Sequence, residues 1–207
     1  PIATLLPPKA SAAVQHALER ECGVHYHFGT VVEAIDKKGD GIIATLANGQ
    51  NVEADIALSA IGMRPRIGLA RQSGIAVNRG ITVNRHLETS APDVYAFGDC
   101  AEVEGHVLYY VLPLMACARA LAKTLHGDRT AVVYGPMPVG VKVTVCPIQV
   151  SPPARGATGE WHEEVVEGDS VRALFQDPEG KLLGFALTGK CAEEKMKLAK
   201  ELPAILE

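Results

Sequence analysis

The feature that most constrains this chain is the run Thr89-Ser90-Ala91-Pro92-Asp93-Val94-Tyr95-Ala96-Phe97-Gly98-Asp99. The apolar stretch Val94 to Phe97 reads as a short buried strand, and Gly98 stops it. A strand that ends in Gly-Asp places a carboxylate at the carboxyl edge of a sheet, where open α/β folds bind their ligands. Glycine lets a ligand approach the backbone, and the aspartate accepts hydrogen bonds from sugar-like hydroxyls. By itself the pair also fits an ordinary strand-end turn with a solvated aspartate.

The elements around this run follow an α/β order. Ala12, Ala13, Val14, Ala17 and Leu18 recur at helical spacing between Ser11 and Glu21, with Pro7-Pro8 ahead and Gly23 behind, which predicts a helix. Short strand-like runs follow at Val24 to Phe28, Thr30 to Ile35, Ile42 to Leu46 and Asn51 to Ile56, with the hairpin pair Asn48-Gly49 between the last two. Ala54 to Ile61 is apolar apart from Asp55 and Ser59 and predicts a strand buried on both faces, ended by Gly62. Leu112 to Leu125 predicts a second helix, with Pro113 in its first turn and Gly127 past its end. After the punctuation Gly135, Pro136 and Pro138, strands are expected at Val139 to Val145, Glu160 to Val166, Ser170 to Gln176 and Leu182 to Thr188, then a helix from Ala192 to Leu202. The expected fold class is α/β: a remnant of doubly wound nucleotide-binding domains, followed by a small α+β carboxyl-terminal domain.

With 207 residues, 47% of them hydrophobic, the chain is long enough for a sizeable core. A net charge of -4 offers no basic field for nucleic acid. No apolar run approaches the ~20 residues that span a bilayer, so no membrane is expected. The five cysteines form no Cys-x-x-Cys pair and read as reduced thiols of a cytoplasmic protein. The seven histidines show no metal spacing; His25 and His27 form at most a pair on one strand side.

The eleven residues ending in Asp99 resemble the second FAD-binding motif of the pyridine nucleotide-disulphide oxidoreductase superfamily, and Ala60-Ile61-Gly62-Met63-Arg64-Pro65 resembles that family's link from the NAD domain back to the FAD domain. The two elements stand in the family's order and spacing. Within that superfamily the chain is most similar to the rubredoxin reductases, through Gly98 to Val103, Leu112 to Leu125, Tyr134 to Pro138, Cys146 to Pro153 and Gly184 to Pro203. The resemblance implies FAD and NAD as cofactors, rubredoxin or a similar small electron carrier as partner, and electron transfer from NADH through FAD. It implies Gly98 and Asp99 as cofactor-binding residues, with the aspartate on the ribityl chain. Val111, in the run Tyr110 to Met115, would start a helix aimed at the flavin's pyrimidine edge, where a positive helix end favours the reduced anion. Lys142 is implied close to the flavin, where a cation assists the same anion; a solvated strand lysine is the plainer account.

The expected division is residues 1–60 from an NAD-binding domain, 61–130 from an FAD-binding domain and 131–207 as the small final domain. The family carries two Gly-x-Gly-x-x-Gly fingerprints, and neither occurs here, so most phosphate contacts to both nucleotides are expected to be missing. The first residue is Pro1 rather than Met, which reads as a chain entered midway. The competing expectation is therefore a truncated, non-catalytic fragment or interaction module of such a flavoprotein. The bases Arg155, Arg172 and Lys181 stand among many acids between 155 and 181, which gives the final domain no strong positive docking patch.

Overall fold

The computed structural model describes residues 5–207. The first helix, α1 (Pro8–Cys22), begins with proline inside its first turn and ends on Gly23 in the left-handed conformation, as the sequence requires. Its small or apolar residues Ala10, Ala13, Val14 and Ala17 form one stripe, and all four are buried. Three antiparallel strands follow, β1 (Val32–Lys38), β2 (Gly41–Leu46) and β3 (Asn51–Ala54). Asn48-Gly49 makes the expected β2–β3 hairpin, with Gly49 at φ 83°.

The short helix α2 (Gly68–Gln72) precedes β4 (Ile81–Val83) and β5 (Ala101–Val103), a parallel pair. Helix α3 (Val111–Leu125) carries Pro113 in its first turn and packs over a core of Val83, Leu87, Ala96, Val103, Cys117 and Tyr134. The remaining strands, β6 (Val139–Val141), β7 (Ile148–Ser151), β8 (Glu160–Glu167), β9 (Ser170–Gln176) and β10 (Leu182–Thr188), form one antiparallel sheet in the order β6-β7-β10-β9-β8. β10 is covered on both faces. Ala186 faces the α1 side, while Phe185 and Leu187 join Cys191, Leu198 and Leu202 on the other.

Five expectations are corrected. Ala54 to Ile61 is not a buried strand: β3 stops at Ala54, and Ile56, Leu58 and Ile61 are 82%, 90% and 96% exposed. A strand is completed by its neighbours, and none among the described residues pairs with this run. Val94 to Phe97 likewise makes only a bridge between Tyr95 and Glu88, and Val24 to Phe28 forms no strand. The strand expected at Val139 to Val145 ends at Val141, because a turn at Thr144 and Val145 follows. The final helix is broken into a 3-10 segment, Gly189–Glu194, and the short α4 (Lys195–Leu198). Ser170 Oγ accepts the Lys190 amide at 3.1 Å and starts that segment earlier and tighter than periodicity implies.

The helix expected to belong to a nucleotide-binding unit, α1, buries its stripe against the five-stranded sheet, on Ile148, Val150, Val171, Ala173 and Ala186. Its amino-terminal amides have no side-chain cap from Pro7. Instead Glu163 on β8 accepts from the Lys9 amide at 2.7 Å and the Ala10 amide at 3.1 Å. At the other end Arg20 Nη2 pairs with Asp169 at 2.6 Å. Both contacts place charge where the helix dipole favours it or where a partner waits, and they fix α1 on the sheet from both ends.

Candidate functional site

The segment that crosses from Phe97 to Val103 organises the site. Gly98 sits at φ 81°, and a Cβ built on it would lie 3.2 Å from Leu114 Cδ1, so the turn rests directly on the first turn of α3. The Gly98 carbonyl accepts from the Ala101 amide at 3.0 Å, which turns the chain into β5. Beneath it, the Cys117 thiol lies 3.0 Å from the Tyr134 hydroxyl in a buried contact. Burial is the main cause that raises the pKa of both groups, so both stay neutral and serve as fixed dipoles under the turn.

The Asp99 side chain is exposed and makes no ion pair or side-chain hydrogen bond among the described residues. It lines a cleft of about 430 Å³ with Met63, Arg64, Pro65, Arg66, Cys100 and Tyr109. The two sequence elements set apart above, the Gly-x-x-Pro exit and the Gly-Asp turn, thus meet across one cleft. Two guanidinium groups share that cleft with the carboxylate, so it offers an acceptor for hydroxyls and cations for acidic oxygens.

Val111 opens α3 and is 71% exposed. Its N-cap residue, Tyr110, is extended and offers no capping side chain. The amides of Val111 and Leu112 precede the first intrahelical bond, from Leu114 to the Tyr110 carbonyl at 3.4 Å. An uncapped start of this kind leaves N–H donors and the positive end of a fifteen-residue helix facing outward.

Lys142 lies apart from this group. It is exposed, one residue beyond β6, and lines a separate shallow cleft with Thr144, Pro147 and Gln149. The neighbouring Val141 and Val143 pack on the α1 core.

Sequence reasoning assigned no role to Arg64, Arg66, Cys100 or Tyr109, whose only signal was proximity to the two motifs. It also missed Glu102, which is 4% exposed. Its Oε1 accepts from Asn78 Nδ2 at 2.9 Å and its Oε2 from the Gly80 amide at 3.0 Å, tying the loop before β4 to β5. Burial acts to raise its pKa, yet these bonds and one from the Arg79 amide outweigh burial and hold it below the usual carboxylate range.

Residues 2–122 match the family model described as pyridine nucleotide-disulphide oxidoreductase, and residues 131–202 match the one described as rubredoxin binding C-terminal domain. The chain is 54% identical to a rubredoxin-NAD(+) reductase of Alcanivorax borkumensis and 44% identical to one of Acinetobacter baylyi, matched over 98% and 100% of this chain. It spans 53% of each relative, about half the length of the curated proteins it matches. In fold it is similar to the ferredoxin reductase for the CYP199A2 system from Rhodopseudomonas palustris, with a TM-score of 0.81 at 23% identity, over 97% of this chain and 52% of that one. The mixed α/β architecture is therefore the one shared by these reductases. With a family model covering more than half of its residues, and with the Gly-Asp turn and the Gly-x-x-Pro exit facing one cleft, the chain belongs to the pyridine nucleotide-disulphide oxidoreductase family.

Proposed function

We propose that this chain serves in an FAD-dependent oxidoreductase that takes electrons from NADH and passes them through FAD to rubredoxin or a similar small one-electron carrier. The observation that carries the reading is the unpartnered Asp99 carboxylate in a cleft beside Arg64 and Arg66, with Gly98 seated on the uncapped start of α3. These groups fit the cofactor. Asp99 would accept from the hydroxyls of a sugar-alcohol chain, Gly98 admits the close approach, and the Val111 and Leu112 amides face an electron-rich ring edge. FAD, when bound, supplies hydride acceptance from a nicotinamide and release of single electrons, so no acid, base or nucleophile is required of the chain. The match of residues 131–202 to rubredoxin-binding domains supports the choice of acceptor.

Lys142 is retained as a cofactor-side residue within this proposal, on the strength of the family position alone. So is the division at residues 60 and 130; the gap between the matches over 2–122 and 131–202 supports the second boundary, while the first rests on the family resemblance alone. We place the protein in the cytoplasm; no helix among the described residues is long and apolar enough to cross a membrane.

The sequence contains no Gly-x-Gly-x-x-Gly turn. This favours a second reading, in which the chain by itself holds flavin weakly and does not turn over. Titration of FAD into the purified chain, followed by quenching of flavin fluorescence, tests both. We expect weak, saturable binding that Asp99→Ala weakens by about tenfold, the scale of losing a charged hydrogen-bond partner. Equal affinity in the variant would remove Asp99 from the site. NADH-dependent rubredoxin reduction by the FAD-saturated chain would defeat the second reading.

A further inference from the structure

A second cavity shares no lining residue with the Asp99 cleft. It has a volume of about 440 Å³ and sits where the loop 105–110, the linker at Pro136-Met137, the Pro152-Pro153 turn and the carboxyl-terminal segment 202–205 converge. Its walls are apolar, with Leu108, Met137, Pro153, Leu183 and Leu202 among them. That volume and lining suit a small organic molecule.

The charge on this lining is one-sided. Arg79 and Arg155 line it together with His106, and no aspartate or glutamate does, in a chain whose net charge is -4. Arg79 is exposed to solvent but tethered. Its loop is anchored by buried Glu102, and its Nη2 donates to the Gly105 carbonyl at 2.6 Å, which leaves its other N–H groups free for a ligand. The far wall is fixed too, because the Ile205 and Leu206 amides both donate to the Tyr134 carbonyl, at 2.8 and 3.0 Å.

From this combination we infer that the cavity is a binding site for a small amphiphilic anion, a carboxylate on a hydrocarbon body, with the carboxylate paired to Arg79 and Arg155 and the body in the apolar groove. Apolar burial supplies the larger share of affinity, and the guanidinium groups select the charged head over a neutral one. The inference goes beyond the flavin reading and does not depend on it, since no residue of the Asp99 cleft lines this cavity.

Isothermal calorimetry of the 207-residue chain with decanoate and with decanol tests the site without added flavin. One saturable decanoate site is expected, with decanol bound about tenfold more weakly at low salt. Arg155→Met should bring decanoate down to the level of decanol while leaving decanol unchanged. Ala204→Trp, which fills the groove, should abolish both, with circular dichroism reporting that the fold is kept. Equal binding of the two probes, no saturable binding at millimolar decanoate, or undiminished binding in a folded Ala204→Trp variant would each overturn the assignment. Flavin affinity, measured separately, reports on the other site alone.

Discussion

Glu102 shows how much one side chain can settle. A carboxylate 4% exposed is costly unless its oxygens are satisfied, and here Asn78, Gly80 and the Arg79 amide satisfy them. Glu102→Ala would leave the Gly80 amide and the Asn78 side chain without their acceptor, and we expect it to destabilise the chain by roughly 2–3 kcal/mol in urea denaturation. The folded pKa is depressed, so the carboxylate's contribution is present above the unfolded value near 4.5 and is lost as pH falls through the folded one. The native chain should therefore lose stability on acidification below about pH 4.5 by an amount that Glu102→Gln no longer shows. An identical acid limb in that variant would contradict the assignment. Glu102 was within sight in the sequence, three residues from Asp99, but nothing local reveals that a strand-like glutamate turns inward. Asp99 and Gly98 were legible because the turn chemistry is carried by adjacent residues.

At the scale of elements, α1 was readable as a helix and unreadable in its placement. Its stripe of Ala10, Ala13, Val14 and Ala17 is periodic, and small residues let a helix approach a sheet closely. That the sheet lies more than a hundred residues downstream is not encoded in the period. The same holds for its cap: Glu163 accepts the Lys9 and Ala10 amides across a separation of 154 and 153 residues. Glu163→Ala should cost about 0.5–2 kcal/mol, the usual worth of a helix cap, and should expose the β8 edge to faster hydrogen exchange. Unchanged stability would mean that water caps the helix equally well. Three of the four acids of β8 thus have partners within the fold: Glu163 on α1, Glu164 on Arg172 and Glu167 on Lys190. α3 was legible in both position and extent, because Pro113 and Gly127 bracket it, while the final helix was not, because Ser170 intercepts its start.

Across the whole molecule, three clusters divide the burial: one between α1 and a face of the five-stranded sheet, one between the other face and the carboxyl-terminal 3-10 and helical segments, and one under α3. The carboxyl-terminal residues connect them, with Leu206 bridged to Tyr134. Between α2 and β3 the apolar run at Ile56, Leu58, Ile61 and Met63 stays exposed. An exposed run of this kind promotes association, so Leu58→Lys should lower self-association in light scattering while moving stability by no more than about 0.5 kcal/mol. Unaltered association would show that the run does not drive it. By itself the sequence determined what local chemistry can fix: helices from their 3.6-residue period, hairpins from Asn-Gly, helix ends from proline and glycine, and the Gly98-Asp99 turn. Only the tertiary structure decided which apolar runs become strands, what α1 packs on, and which carboxylates turn inward, because a ladder, a packed face or a remote cap exists only when its partner arrives from elsewhere in the chain.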